Sequence, residues 1–393
     1  MATNFQLPVN IAFVPSPSPE PDAPFFYVTE LYGTIKVVSN DRTVSDYATG
    51  LLNFNPTGDF PGSGEQGLTG ITVDPASGDV YATMLYKVGS FFYPKVVRFH
   101  SLDGGRTAQS QTVILDMYPE NQGPSHQISN VSIGPDSKLY VHMGDGFSAA
   151  TAGDLDSFRG KILRLQLDGS PAADNPFYNA QDGITARDYI YAYGLRNPFG
   201  GAWSAADGAH YSVENGPSTD RFARIVADRN YGWRGNNSDM TTFALYNWTP
   251  SVAPVNIAFI QPETFNGSGF PAEKMGHVFI SESGPTYAAG PVANGKRISE
   301  FVLDAQGNLV DGPLPLIEYN GTGQGTVVPL AAGPDGLYFS EFYKDFKAGS
   351  PIDRGARILL VKAQSFISAS ITLPADADII RALARKPVSS ALS

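Results

Sequence analysis

One histidine, His126, occupies a loop position from which an imidazole could act as a base. Only five histidines occur in 393 residues, and imidazole is the side chain whose ordinary pKa lies nearest to neutral pH. His126 stands in the loop of residues 123–127, directly before an apolar segment with the pattern of a β-strand. An imidazole there could take a proton from an alcohol, with a structural role as the alternative.

The other four histidines are expected to have structural or incidental roles. His142 and His277 lie in alternating, strand-like segments, so we expect them to be packed inside the protein. His100 and His210 are expected to be exposed. These expectations leave His126 as the histidine on which a catalytic hypothesis can be built.

Two further segments carry groups that could bind an oxygen-rich ligand. Arg196 and Asn197 form a pair fixed by the proline that follows them, and a rigid pair of this kind can donate several hydrogen bonds to one ligand. The segment of residues 213–220 contains a turn in which Gly216 and Pro217 leave carbonyl oxygens free beside acidic residues. Such oxygens suit Ca²⁺. An acidic surface turn is the alternative interpretation.

The composition limits the possible partners of these residues. A net charge of −11 with 27 Lys and Arg opposes nucleic-acid binding and favours a neutral or cationic small ligand. There is no cysteine, so disulfides and thiolate chemistry are excluded. The first ten residues lack a signal-peptide pattern, and no apolar run is long enough to span a bilayer.

The elements that position these residues follow from an internal repeat. An apolar strand, a turn built from Pro, Asp and Gly, and a Tyr- and Val-rich strand recur along the chain. The copies begin near residues 11, 70, 131, 201, 257 and 331. One such unit cannot bury its own sheet faces, whereas six units arranged radially can. The sequence therefore predicts an all-β fold, a six-bladed β-propeller of four-stranded antiparallel blades.

Further strands and the domain limits follow from the same pattern. Alternating segments at residues 33–38, 95–99, 160–165, 297–301 and 357–361 predict strands nearer the outside of the blades. The spacing of the copies leaves long loops, which are expected to carry the ligand site. We predict a propeller over residues 5–364 and an appendage over residues 365–393, with one helix at 376–385.

Several segments together resemble the soluble, pyrroloquinoline quinone (PQQ)-dependent glucose/sorbosone dehydrogenase family, a group of aldose sugar dehydrogenases. The resemblance covers most of residues 7–362 and is strongest from 64 to 233. Its motifs lie at residues 64–71, 126–145, 159–165, 174–177, 191–200, 214–217 and 230–233.

The resemblance implies a fold, a reaction and a set of site residues. Hydride would pass from a sugar or other alcohol to PQQ with His126 as the base, Arg196 beside the reacting carbonyl and Asn197 as a cofactor contact. The carbonyl groups of Gly216 and Pro217 would hold calcium. Two further polar contacts are implied, and these are Glu65 near the base and Lys296 on a quinone carboxylate.

The implied partners are a small sugar and an electron acceptor, with no nucleic acid and no membrane span. The implied location is periplasmic or secreted, with the export signal absent from this chain.

Four stretches depart from the family pattern. They are His126-Gln127-Ile128-Ser129, Asp220-Arg221-Phe222-Ala223, Glu282-Ser283-Gly284-Pro285 and the region of Thr326. Because each departure removes an open backbone or a charged contact, other functions stay open. One alternative is a propeller lyase or lactonase acting on a sugar acid, and another is a cofactor-free propeller that binds a carbohydrate or a protein.

Overall fold

The computed structural model describes residues 2–59, 65–344 and 352–363. Within them the chain forms six four-stranded antiparallel sheets, which confirms the predicted all-β, six-bladed propeller. The helix predicted at 376–385 and the appendage lie outside the described residues, so both stay predictions. Within those ranges, no helix has the length and hydropathy needed to cross a membrane.

Each blade contains four strands in chain order, except the last. Blade 1 contains β2 (Pro8–Phe13), β3 (Pro24–Glu30), β4 (Thr34–Ser39) and β5 (Val44–Ala48). Blade 2 contains β6 (Leu68–Val73), β7 (Val80–Val88), β8 (Phe91–His100) and β9 (Ser110–Asp116). Blade 3 contains β10 (Ile128–Ile133), β11 (Leu139–Met143), β12 (Lys161–Leu165) and β13 (Ile190–Tyr193).

The other three blades complete the ring. Blade 4 contains β14 (Gly200–Trp203), β15 (His210–Glu214), β16 (Asp220–Ile225) and β17 (Ala244–Trp248). Blade 5 contains β18 (Pro254–Phe259), β19 (Val278–Glu282), β20 (Arg297–Leu303) and β21 (Leu309–Glu318). Blade 6 contains β22 (Leu330–Gly333), β23 (Gly336–Ser340), β24 (Ala356–Val361) and the N-terminal strand β1 (Ala2–Phe5).

Helical segments within the described residues are short and lie in the connections. The α-helical turns are α1 (Pro56–Asp59), α2 (Ala149–Gly153) and α3 (Pro262–Phe265). The 3₁₀ turns are Ala186–Tyr189, Asn237–Thr241 and Ala272–Lys274.

The blades are held together by apolar residues shared between neighbouring sheets. The first strand of every blade contacts the first strands of the blades on both sides, so these strands form a closed inner ring. One cluster contains Val37 of blade 1 and Val97 of blade 2, and another contains Val96 of blade 2 and Leu163 of blade 3. Similar clusters join all six neighbouring pairs. Burial of both sheet faces in this way stabilises a closed propeller without long exposed edges.

The N-terminal strand closes the ring. Ala2 pairs with Ile358 and Phe5 pairs with Ala356, so β1 is the outer strand of blade 6. The predicted propeller began at residue 5, and β1 was not predicted as a strand. Its partner strand lies at the other end of the chain, and local periodicity does not reveal such a pairing.

One face of the propeller collects the loops of interest. Successive strands of each blade are antiparallel. The loop between the second and third strands therefore lies on the same face of the propeller as the connection to the next blade. This face, called here the loop face, contains the loop of His126, the Arg196–Asn197 segment and the turn of Gly216 and Pro217.

Candidate functional site

His126 is held by a carboxylate. Its Nδ1 donates a hydrogen bond to Asp145 Oδ1 over 2.7 Å, and the two side chains are 6% and 3% exposed. Asp145 follows β11, and Gly144 before it lies so close to the His126 carbonyl that a Cβ atom there would clash. Since a carboxylate only accepts hydrogen bonds, the proton is on Nδ1 and Nε2 keeps a lone pair. The imidazole is thus in the tautomer of a general base.

The Asp145 carboxylate is fixed from a second loop. The indole Nε1 of Trp233 donates to Asp145 Oδ2 over 2.7 Å, and the Phe147 N–H donates to Oδ1 over 3.0 Å. The Phe147 ring stacks on the imidazole of His126 at a centroid distance of 4.1 Å. The orientation of the His126 ring is therefore fixed by a carboxylate at Nδ1 and by an aromatic ring on one face.

Glu65 connects the histidine loop to the loop that precedes blade 4. Its Oε2 accepts the main-chain N–H of His126 over 2.8 Å and the side-chain Nδ2 of Asn197 over 3.4 Å. The Oδ1 of Asn197 is buried and has no hydrogen-bond partner among the described residues. A buried polar atom left in this way is suited to a bound ligand or water.

Arg196 lies between the histidine and the acidic turn. Its carbonyl accepts the Asp145 N–H over 2.7 Å, and its Nη1 donates to the Asn215 carbonyl over 2.7 Å. The guanidinium lies 5.5 Å from the centre of the Trp233 ring. Burial lowers the pKa of Arg196, while Asp145 and other nearby carboxylates oppose this shift. The cation is partly desolvated, which strengthens its attraction for an anionic or carbonyl oxygen.

The turn of Gly216 and Pro217 is organised by Asp220. The Asp220 carboxylate accepts N–H groups of Gly216, Val252 and Ala253 over 2.7–2.9 Å, and burial raises its pKa to about 6. No hydrogen bond within the described residues ends on the carbonyl oxygens of Gly216 or Pro217. Those oxygens fit a hard cation.

Within the described ranges, no group of three or more His, Asp or Glu side chains could hold a metal ion. Calcium here would therefore depend mainly on main-chain oxygens and on the ligand itself.

Lys296 lies in a buried position beside main-chain carbonyl groups. It is 1% exposed, and its ammonium donates to the carbonyls of Ala288 and Gly290 and lies 5.1 Å from the centre of the Tyr319 ring. The loop before it lines a cavity of about 440 Å³ with residues 251, 253, 284, 285 and 292–294. Because the ammonium has main-chain acceptors, its role toward a carboxylate stays a prediction.

In the stretch Asp220-Arg221-Phe222-Ala223, which departs from the family pattern, Arg221 makes buried contacts. Arg221 is fully buried and pairs with Glu214, which also accepts the Arg196 N–H. Arg221 Nη1 donates to the Tyr231 and Thr242 carbonyls over 2.8 Å. These bonds tie together the loops that hold Arg196 and Trp233.

Two small hydroxyl side chains make similar ties elsewhere. Ser129 Oγ donates to the Pro198 carbonyl over 3.0 Å, and the Thr326 hydroxyl donates to the Ser283 carbonyl. Both bonds join the loops of neighbouring blades. These side chains thus connect segments of neighbouring blades on the loop face.

The expectation for His210 was wrong. His210 is 1% exposed, and its Nε2 lies 2.7 Å from Nε2 of His142. It begins β15, and the Trp203 and Tyr140 rings pack against it. Alternation along one strand did not reveal that the neighbouring blade covers this position.

Five of the predicted site residues are connected by a chain of contacts in the fold. Three further residues contact this group, and the sequence analysis gave them no role. The five are His126, Glu65, Asn197, Arg196 and Gly216. The three are Asp145, Phe147 and Trp233. Asp145 and Trp233 were visible inside the recognised motifs, but only the tertiary contacts show that they act on His126.

Comparison with known proteins identifies the family of the chain. The sequence profile of the glucose/sorbosone dehydrogenase family matches residues 5–272. The chain belongs to this family. Quinoprotein glucose dehydrogenase B of Acinetobacter calcoaceticus is 31% identical over 224 residues, which are 51% of this chain and 44% of that protein. An aldose sugar dehydrogenase of Escherichia coli is 36% identical over 96 residues, covering 24% and 25% of the two chains. The chain spans about half or less of the length of these curated relatives.

Solved structures support the same fold over more of the chain. A proposed oxidoreductase (glucose dehydrogenase) from Thermus thermophilus is 28% identical with a TM-score of 0.69, covering 91% of this chain and 98% of that one. The PQQ-bound aldose sugar dehydrogenase from Streptomyces coelicolor is 23% identical with a TM-score of 0.64, covering 91% and 95%. The second likeness shows the propeller fold alone.

Proposed function

We propose that this family member oxidises an aldose sugar by hydride transfer to PQQ, with His126 as the general base. The observation that carries the proposal is the hydrogen bond from His126 Nδ1 to Asp145, which leaves Nε2 as a proton acceptor at the loop face. An alcohol that loses its hydroxyl proton to Nε2 can release a hydride from the carbon atom that carries that oxygen, so the C–H electron pair leaves with the hydride and a C=O bond forms. The sugar would leave oxidised by two electrons.

The groups of the chain have separate tasks in this reaction. Asp145 holds the imidazole in one tautomer and stabilises the imidazolium that forms when His126 accepts the proton. Glu65 fixes the main chain of His126 and the side chain of Asn197 in one arrangement. Phe147 covers one face of the imidazole and excludes water from it.

The residues present fit the cofactor on one side of the site. The free Oδ1 of Asn197 and the partly desolvated guanidinium of Arg196 are suited to the oxygen-rich quinone, and the carbonyls of Gly216 and Pro217 are suited to calcium. When bound, PQQ accepts the hydride and calcium polarises the quinone carbonyl. Lys296 would have to leave its present carbonyl partners to contribute.

The experiment is reconstitution with PQQ and CaCl₂ followed by dye reduction. Aldoses should reduce an artificial electron acceptor only in the presence of both additions, and EDTA treatment before the quinone is added should prevent it. Absence of dye reduction despite saturable PQQ binding would contradict the proposal. Parallel assays with uronides and sugar-acid lactones test the alternatives, because an unsaturated or ring-opened product would show lyase or lactonase chemistry instead.

A further inference from the structure

Two buried imidazoles contact the segment that carries Arg196 and Asn197. His142 is the fourth residue of β11 in blade 3, and His210 is the first residue of β15 in blade 4. The two residues are 0% and 1% exposed, and their Nε2 atoms lie 2.7 Å apart. The pair therefore joins the second strands of two neighbouring blades. Neither ring takes part in the proposed proton transfer.

The hydrogen bonds of the pair run in one direction. The Pro198 carbonyl can only accept, so the proton of His142 is on Nδ1, which lies 3.0 Å from this oxygen. The Nε2 of His142 is then an acceptor, and Nε2 of His210 donates to it. His210 thus keeps the proton of His142 on the side that faces Pro198.

The pair restrains the segment of residues 196–201 at two points. The buried carbonyl of Pro198 accepts from His142 Nδ1 and also from the Ser129 hydroxyl, each over 3.0 Å. Three residues further along, Gly201 lies against both imidazoles, since a Cβ atom there would come within 2.8 Å of either Nε2. Any side chain at residue 201 would have to displace the pair.

Asn197 directly precedes this anchored carbonyl group. Its own carbonyl accepts the Asn215 N–H over 3.0 Å, so the main chain is held on both sides of the Asn197–Pro198 peptide bond. The Asn197 side chain is 2% exposed, and its Oδ1 lacks a partner among the described residues. Since Nδ2 makes only a long contact of 3.4 Å with Glu65, the position of Oδ1 depends mainly on the main chain.

We propose that His142 is a positioning residue of the candidate site: together with His210, it holds the Pro198 carbonyl so that Asn197 presents its Oδ1 to a bound ligand. The statement that this ligand is PQQ rests on the proposed function. The statement about the segment does not, because every contact in it lies within this chain. A change at His142 should therefore alter the segment even in the protein without cofactor.

Two substitutions of His142 separate its hydrogen bond to Pro198 from general packing. The side-chain nitrogen of an asparagine can occupy the place of Nδ1, whereas the longer side chain of a glutamine reaches the place of Nε2. His142→Asn therefore retains the donor to Pro198, and His142→Gln retains only the contact with His210. Both remove an aromatic ring from the same buried place, so their losses of stability in urea unfolding should be similar.

The first measurement is hydrogen–deuterium exchange of the full chain without PQQ, followed at the Asn215 amide. Exchange there should be about tenfold faster in His142→Gln than in the unmodified protein, and within about twofold of it in His142→Asn. Tyr140→Phe is the control and should leave exchange unchanged, since Tyr140 packs against His210 but its hydroxyl contacts Asp136. Equal exchange in the two His142 variants would overturn the proposal.

The second measurement is spectroscopic titration of the same proteins with PQQ in the presence of CaCl₂. His142→Gln should bind PQQ about tenfold more weakly, while His142→Asn should bind it within about twofold of the unmodified protein. At saturating PQQ, kcat for sugar oxidation should be close to that of the unmodified protein. Equal weakening in both variants would contradict the positioning role. Exchange that separates the variants while no form binds PQQ would support the role of His142 and contradict the proposed oxidation.

Ser129→Ala provides a third comparison, which decides the matter if His142→Gln does not fold. This change removes the other donor to the Pro198 carbonyl and leaves both imidazoles in place. Exchange at the Asn215 amide and the Kd for PQQ should both rise about fivefold. Unchanged exchange in Ser129→Ala would show that the Pro198 carbonyl does not control the position of Asn197, and the proposal would be wrong.

Discussion

Two histidine environments lie within neighbouring blades, and they differ in what the ring nitrogen atoms contact. His126 Nδ1 donates to the carboxylate of Asp145 at the loop face. His142 Nδ1 donates to the Pro198 carbonyl over 3.0 Å, and its Nε2 faces Nε2 of His210. Both sites orient an imidazole, but only the first has a counter-charge for the protonated form.

The buried pair is neutral. Because His142 donates through Nδ1, its Nε2 accepts the N–H of His210, and His210 Nδ1 is then a buried acceptor without a partner among the described residues. Burial lowers the pKa of His142 to about 4 and that of His210 well below the ordinary value. The comparison shows that burial without a counter-charge keeps an imidazole neutral, so that its role is packing and hydrogen bonding. A carboxylate beside a buried imidazole favours its charged form.

The largest effect is expected for removal of the first imidazole. His126→Ala should lower kcat for sugar oxidation by about 10⁴, because no other base replaces it, while PQQ still binds. The measurement is steady-state dye reduction together with a quinone titration. His100→Ala is the matched control, since His100 also donates to a carboxylate, that of Asp79, but is 49% exposed. Unchanged turnover in His126→Ala would show that His126 is not the general base.

Removal of the counter-charge should have the next largest effect. Asp145→Asn should lower kcat by about 10³ with little change in KM, since the amide neither stabilises the imidazolium nor selects the same tautomer. Asp79→Asn, beside the exposed His100, should leave both constants unchanged. A higher KM with unchanged kcat would mean that Asp145 only shapes the substrate pocket.

The buried pair should be visible in the pH dependence of stability. The folded pKa of His142 is lowered from 6.5 to about 4, so the unfolded chain takes up this proton first as the pH falls. The contribution of His142 to the free energy of unfolding is therefore complete above about pH 6.5, and on the order of 3 kcal/mol of it is lost on the way to pH 4.

His142→Leu provides the comparison curve, measured by urea unfolding at several pH values. The variant should be less stable at pH 7, and the difference should shrink as the pH falls. Asp220 titrates in the same window with the opposite sign, because its folded pKa is raised to about 6, but it is present in both proteins. Parallel curves would show that His142 is not buried in the neutral form.

The smallest effect is expected at the second donor to Asp145. Trp233→Phe should lower kcat about tenfold, because one hydrogen bond to a charged oxygen is lost while the ring remains to pack against Arg196. Trp248→Phe is a useful control, since its indole donates to Glu282 away from His126. Equal effects of the two changes would indicate general loosening of the fold.

Much of the architecture could be predicted because each blade repeats the same local signals. The clear turns after β6, β10 and β22, together with the weaker copies near residues 11, 201 and 257, predicted six sheets, which the structure confirms. The strand Asp220–Ile225 was not predicted, because its start was interpreted as part of the acidic turn. The N-terminal strand of blade 6 was missed for another reason, because its partner strand lies at the other end of the chain.

The sequence by itself determined the repeat, the family resemblance and the presence of an imidazole, a guanidinium and a Gly-Pro turn in separate loops. Only the tertiary structure decided which groups act on one another: that Asp145 and Trp233 hold His126, that Lys296 is bound by carbonyl groups, and that His210 is buried. The physical reason is that strand periodicity is a local property, whereas the partner of a polar side chain is set by the packing of neighbouring blades.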